Sequence, residues 1–480
     1  MSEPAERGRS SDLFGRGMIY VLVWSMQMVV ATVVSPVLTR VLPKDQFGGL
    51  AAAIALYQLL ITVALFGLDN AVEMQRVEDS DPSRSRGLVA AGMIMAFGVV
   101  GLCAITSPLW SSALGFPSST GLVLVALLWT APGGAALLTL AMLQAEDRLA
   151  RFATVSLVST VGSQLLGIGL LFLVERTTLV YAWGGVIGNT VSLLLGIVWT
   201  RPRPGGLTDR ATIAAGLRLG VPLMLAGVAQ FVLSAGDRFV VQRMLGPEQV
   251  ARYQVAYTVG NVLSLMLAFT TRAWLPRLKS ITSSEQRWEV IAASRDGVYW
   301  LVGWALIGIT VSAPVLLRVF APASYDPASL VAVVLVVGLA ALPVAASGAT
   351  SQVLVTTRQS RPIAIGAAVA AVVKIVLTIA VIGRFGLVGT AAATTVAIAA
   401  QAWVQRVAVQ RALGFRRSSA TSLGFVALAC LVSAASLELP QQGFWLAARF
   451  GFSCLCLAPF FLALRGLQRG TGPLPLLRHP

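Results

Sequence analysis

The chain has 480 residues, 56% of them hydrophobic and only 12% charged, with a formal net charge of +16. A soluble protein carries about 25% charged residues, so this composition counts against a soluble enzyme or a nucleic-acid-binding domain and points to a membrane protein. The single histidine, His479, excludes histidine-based acid–base chemistry and His-rich metal sites in the core.

Apolar stretches near 20 residues recur along almost the whole chain, the pattern of an all-α polytopic membrane protein. The predicted spans are 17–39, 48–67, 87–108, 120–143, 152–174, 179–199, 214–236, 252–275, 296–317, 328–350, 362–383, 386–405, 420–437 and 443–464, fourteen in all. They are too long and too apolar for strands of a membrane barrel. The first is read as a span and not as a cleaved leader, because Ser35-Pro36 followed by Arg40 does not form a cleavage site. The organisation expected is a six-helix lobe over 1–199, a linker over 200–213, a second six-helix lobe over 214–409, and two added helices with a tail over 410–480. The linker, "TRPRPGGLTDRAT" (200–212), is rich in Pro, Gly and charge.

The 36 Lys and Arg residues are distributed unevenly. Counting Arg218, Arg252 and Arg272, near span ends, with the adjacent connections, 26 fall at the two termini and the connections on their side, 8 fall on the other side, and Lys374 and Arg449 lie inside spans. This is a positive-inside pattern with both termini cytoplasmic, and it explains the net charge as topology and contact with anionic lipid. Cys103, Cys430, Cys454 and Cys456 fall in apolar spans and read as packing residues. The three lysines follow Pro43, Leu278 and Val373, so no Gly-Lys-Ser/Thr phosphate loop exists. No connection is long enough for a soluble catalytic domain. The outer loops hold few acids (Asp45, Glu175, Glu248, Asp326, Glu438) for a membrane-embedded glycosyltransferase or polymerase. An enzyme is not expected, and no cofactor or metal is called for.

The two halves share a segment. "RVLPKDQFGGL" (40–50) and "RMLGPEQVARY" (243–253) align at an offset of 203, with Arg40 on Arg243, Leu42 on Leu245, Asp45 on Glu248 and Gln46 on Gln249. Each follows the first span of a six-span block, so a duplication about an axis along the membrane normal is expected.

Polar residues fall on helical stripes. Tyr20, Trp24, Gln27, Ala31 and Ser35 share a face of the first span; Gln58, Thr62 and Asp69 of the second; Gln230, Ser234 and Asp237 of the seventh; Tyr257, Asn261, Ser264, Ala268 and Thr271 of the eighth, beside Arg272. Such stripes avoid lipid. They either bond neighbouring helices or line a polar cavity between the halves. Pro132-Gly133-Gly134, Pro222 and Pro343 interrupt spans and permit kinks.

"GRG" (15–17), "SPVLTRVLPKDQFG" (35–48), "FGLDNA" (66–71), "GDRFVVQRMLGPEQVARY" (236–253), "WLPRL" (274–278) and "FGLVGTAAATT" (385–395) together resemble the bacterial polysaccharide-biosynthesis flippases over about residues 12–410. These belong to the superfamily of multidrug-and-toxin-extrusion exporters and the lipid II flippase. The chain departs from the pattern at Gly49-Leu50 and Ala251-Arg252. The resemblance implies two pseudo-symmetric six-helix lobes around a central cavity. It implies alternating-access translocation of a polyprenyl-pyrophosphate-linked oligosaccharide across the bacterial cytoplasmic membrane. It also implies work alongside a polysaccharide polymerase and glycosyltransferases. An ion-coupled drug exporter on the same scaffold is the alternative.

Lys374 stands near the middle of the apolar stretch 366–383. No acid lies mid-span, so a buried carboxylate partner is not expected. A centred cation costs about 2.5–3.5 kcal/mol on insertion scales. Three readings are open: the ammonium faces the cavity and meets an anion, it sits in the bundle neutral or bonded to carbonyls, or it snorkels to an interface. The first is preferred. Arg272, Arg40, Gln27, Gln230, Asn261, Tyr257 and Trp24 are the further cavity candidates, and Asp69, Asp237 and Arg238 the gating ion-pair candidates.

Overall fold

The computed structural model describes residues 23, 25–79, 81–116, 121–267, 281, 283–357, 359–413 and 418–469. Trp24, Arg272 and His479 lie outside them. Every regular element among the described residues is helical. Among the described residues, eleven helices are long and apolar enough to cross a membrane, against fourteen expected spans. The stretches expected at 362–383 and 386–405 form one 53-residue helix, Arg361–Leu413, which turns at Gly386 (φ 53°, ψ −132°). That backbone geometry favours glycine. The two arms run side by side, with Gly366 packed on Gln401 and Gln405. Of the first and eighth expected spans, the described residues include the helices Ser25–Val41 and Pro247–Gly260.

Two compact units are present: Met1–Phe231 with Gly246–Glu248, and Val232–Leu245 with Gln249–Pro480. In the first, helix Lys44–Ala64 ends where Phe66 (φ 48°) and Gly67 (φ 68°) turn left-handed, and the chain resumes as helix Leu68–Glu78. The break lets Gly220 of helix Arg210–Ala235 touch Gly67 backbone to backbone, and a methyl group on either residue would overlap the other segment. Gly220→Ala gains about 1 kcal/mol of helix propensity, but the carbonyl of Phe66 cannot move aside as a side chain would. Overpacking costs about 1–3 kcal/mol. A lower melting temperature in detergent is expected. Gly98→Ala, whose methyl group would meet nothing within 4 Å, should be neutral or stabilising.

Small residues set the helix spacing elsewhere in this unit. Gly184, Gly188, Ser192 and Gly196 recur every four residues along helix Thr178–Thr200. Gly184 packs on Gly167, Gly188 on Ser163 and Gly196 on Thr139, while Ser192 donates to the Val155 carbonyl at 3.0 Å. This is how helices approach closely where lipid gives no hydrophobic drive. Asp209 caps helix Arg210–Ala235, accepting from Thr212 N (3.1 Å) and Thr212 Oγ1 (2.6 Å). These bonds hold its carboxyl below the usual range. Glu146 follows helix Gly121–Ala145, its side chain 5% exposed. It faces Arg76 at 3.5 Å, Arg86 at 3.9 Å and Arg148 at 2.8 Å.

In the second unit, helix Ser284–Phe320 is the spine. Helices Ala420–Ala435 and Phe444–Arg469 pack on it through Trp300 stacked on Phe425 at 4.0 Å and Gly297 against Leu467. Arg449, expected inside a span, is 2% exposed and donates to the Leu439 carbonyl at 2.7 Å, beyond the end of Ala420–Ala435. Pro343 stands in the first turn of helix Ala341–Thr356, where its missing N–H costs no helical bond. Pro132 and Pro222 are carried inside unbroken helices. The four cysteines are free. Helices begin at Lys44 and Pro247, 247 − 44 = 203 residues apart, the offset of the repeated segment.

The expected orientation has a direct check. Single cysteines at Gly205 and Gly383 are tolerable, since both glycines have open space around them. In spheroplasts Gly205→Cys should be shielded from an impermeant thiol reagent and Gly383→Cys should be labelled; the reverse pattern, or equal labelling, contradicts the topology.

Candidate functional site

The seventh apolar stretch does not end where its hydropathy does. Helix Arg210–Ala235 breaks at Gly236, and a new helix, Asp237–Leu245, begins at once. The break exposes the last carbonyls of one helix and the first amide groups of the next. Cations suit the first of these ends and an anion the second. The sequence supplies both. Lys374 reaches in from helix Arg361–Leu413 and donates to the Leu233 carbonyl at 2.6 Å. Arg238 Nη1 donates to the Ser234 carbonyl at 2.9 Å. Asp237 is the first-turn acid of the new helix.

The carboxylate of Asp237 is fully enclosed, its side chain 0% exposed. Its Oδ2 lies 3.1 Å from Lys374 Nζ and accepts from Tyr253 Oη at 2.7 Å and Thr394 Oγ1 at 3.4 Å. Its Oδ1 accepts from Arg238 Nη1 at 3.1 Å. Arg238 also donates from Nε to Gln254 Oε1 at 2.9 Å and lies over the Tyr257 ring, 4.6 Å from its centroid. Leu233, Ala370 and Ala397 form a buried apolar cluster, with Val373 packed against it. One acid and two bases thus share a dry site with a net charge of +1. In such surroundings each charge depends on its partners.

This corrects the expectation that Lys374 has no buried carboxylate partner. Lys374 is 1% exposed, and its ammonium is bonded inside the bundle to a carbonyl and a carboxylate, not open to a cavity. Asp237 is mid-path because Phe239, Val240 and Val241 continue the helix beyond it. Tyr257 joins the cluster through Arg238. Asn261, half-buried, follows on the same helical face. The other candidates belong to the first unit. Gln230 is exposed on helix Arg210–Ala235. Gln27 donates to Ser156 Oγ at 2.6 Å in the first unit. Arg40 is exposed and donates to the Pro36 carbonyl at 2.8 Å. Asp69 is half-buried at the start of helix Leu68–Glu78 and forms no ion pair among the described residues. Sequence reasoning does not single out Tyr253 or Thr394 as site residues. Thr394 lies one turn from Thr390 on an inward face, but no local pattern ties it to an aspartate 157 positions away.

Apolar helices of membrane-spanning length, with charges enclosed and mutually paired partway along a helical path, define a polytopic membrane protein. The sequence profile of the family described as polysaccharide biosynthesis protein matches residues 14–282, and the chain belongs to that family. Among solved structures, the lipid II flippase MurJ in an inward closed conformation shares the fold with a TM-score of 0.70 and 12% identity, over 92% of this chain and 98% of that one. A MATE-family multidrug resistance transporter of the MOP superfamily, inward-facing, gives 0.57 and 14% over 80% of this chain and 95% of that one. The Vibrio cholerae MATE transporter VcmN gives 0.54 and 13% over 84% and 98%. No curated protein matches the chain by sequence.

Proposed function

We propose that this protein carries a polyprenyl-pyrophosphate-linked oligosaccharide, the repeat unit of a polysaccharide, across the bacterial cytoplasmic membrane by alternating access. One observation carries the choice of an anionic cargo: among the described residues, the enclosed acids Asp237 and Glu146 are each outnumbered by cations. Asp237 is met by Lys374 and Arg238, and Glu146 by Arg76, Arg86 and Arg148. A site for an organic cation needs a carboxylate with charge to spare, whereas a positive balance suits a pyrophosphate. Family membership supports a polysaccharide as the product, and a fold shared with a lipid II flippase is compatible with a lipid-linked cargo. The second reading, an ion-coupled small-molecule exporter, draws on the MATE-like fold, at lower TM-scores.

In this reading the protein is a carrier and not an enzyme. Arg40, Gln230, Gln27, Tyr257 and Asn261 are the proposed polar contacts for glycan and pyrophosphate, with Arg272 and Trp24 added from the sequence. Asp237, Arg238 and Asp69 are the proposed gating residues. Lys374 acts as a positioning residue through Asp237. Both termini face the cytoplasm, and the cargo passes from glycosyltransferases to a polymerase. The test is translocation of a labelled lipid-linked oligosaccharide in vesicles containing the purified protein, where activity above that of protein-free vesicles is expected.

A further inference from the structure

We propose that a cavity at the arginine-rich end of the second unit binds the phosphate headgroup of an anionic lipid. The cavity has a volume of about 540 Å³. Its walls are the early turns of helix Ser284–Phe320, the middle turns of Ala341–Thr356, the late turns of Arg361–Leu413, and the entry to Ala420–Ala435. Arg295 and Arg406 supply guanidinium groups, Tyr299 and Trp403 supply rings, and Gln410 and Ser418 supply further polar atoms. No acid is among its described lining residues.

The neighbouring Asp296 is already engaged. Its Oδ1 accepts from Arg295 Nε at 3.1 Å and Nη2 at 3.0 Å, and its Oδ2 from Ser419 N at 3.0 Å. These bonds fix the fork of Arg295, which is 4% exposed, and tie it to the entry of the next helix. Arg295 and Arg406 both line this partly shielded site, and guanidinium groups suit phosphate oxygens. Trp403, 68% exposed, and Leu423, 51% exposed, stand at the rim, where a tryptophan marks headgroup depth and an acyl or prenyl chain can leave toward lipid. The volume exceeds the needs of one phosphate and admits the glycerol or sugar attached to it. Basic pockets between helices on the cytoplasmic side are a known class of headgroup site, and the 26-to-8 distribution of Lys and Arg assigns this end to the cytoplasm.

The phosphodiester of an anionic phospholipid and the pyrophosphate of a polyprenyl carrier share this chemistry. The test is equilibrium binding by the full chain in neutral detergent, which needs no transport, so it can fail while the proposed function stands. Dioleoylphosphatidylglycerol, a polyprenyl pyrophosphate and, as control, dioleoylphosphatidylcholine are titrated while thermal melting is recorded. A saturable rise in melting temperature with one or both anionic probes, and none with the control, is expected. Response to phosphatidylglycerol alone identifies a phospholipid site; equal or stronger response to the pyrophosphate identifies the carrier. Arg406→Gln should weaken the apparent affinity about tenfold, and Arg406→Lys should retain part of it. Trp403→Ala, at an exposed position, should weaken binding too and carries the test if Arg406→Gln does not fold. The proposal is overturned if neither anionic probe raises the melting temperature, if the control raises it equally, or if the folded variants bind as wild type does.

Discussion

Replacing Asp237 with alanine is expected to destabilise the protein by about 3–5 kcal/mol, the cost of leaving a buried charge without its partner. The reason lies in the count of charges. Lys374 and Arg238 both bond to this carboxylate in a site closed to water, so the variant strands two cations at once. Tyr253 Oη loses its acceptor as well. Urea or thermal unfolding in detergent measures the loss. Asp326→Asn is the control, since Asp326 pairs with Arg252 at 3.4 Å but is 64% exposed, exposed pairs contribute about 0–1 kcal/mol, and asparagine tolerates the left-handed backbone there (φ 49°). Removing both partners, in Asp237→Ala with Lys374→Met, should recover part of the stability lost by Asp237→Ala alone. A single variant no worse than the control would show that the cluster is not charged as drawn.

Lys374→Met should behave differently, costing activity more than stability. The Asp237 carboxylate keeps Arg238 and Tyr253 when the ammonium goes, and methionine fills much of the space. A loss of about 1.5–3 kcal/mol is expected, the scale of a hydrogen bond to a charged group. What methionine cannot do is bridge the Leu233 carbonyl and Asp237 across the break at Gly236. If that bridge sets the helix break for transport, translocation should fall at least tenfold in vesicles holding equal amounts of folded protein. Lys374→Arg keeps the charge but must fit a planar fork beside Ala370 and Ala397, so partial activity is expected. Wild-type rates in Lys374→Met would reduce the lysine to packing.

Much of the architecture is legible in the sequence because each span must satisfy hydrocarbon by its own composition. The apolar windows, the breaks at Pro43 and after Phe66, and the repeat offset all follow from local sequence. The turn at Gly386 is legible as a boundary between apolar stretches, but not as a continuous helical hairpin. The site is readable only in its parts. Lys374 stands out by being charged, and Asp237-Arg238 by ending a polar stripe. Hydropathy places that pair at a span end because two charges in a row stop an apolar window, although the helix beyond them continues. Their meeting joins positions 237 and 374 through tertiary packing, which periodicity along one helix cannot report. For the same reason the acceptor at Leu233, a main-chain carbonyl, carries no signature in its side chain.

The central claim is the identity of the cargo, and transport in vesicles of defined lipid tests it most directly. Vesicles with the purified protein are loaded in one leaflet with a fluorescent polyprenyl-pyrophosphate oligosaccharide, and its arrival in the other leaflet is followed by an impermeant quencher. Parallel vesicles receive a cationic dye typical of drug exporters. The account predicts protein-dependent movement of the lipid-linked oligosaccharide, reduced by Lys374→Met, and no protein-dependent movement of the dye. Movement of the dye with the oligosaccharide remaining in its original leaflet would contradict it.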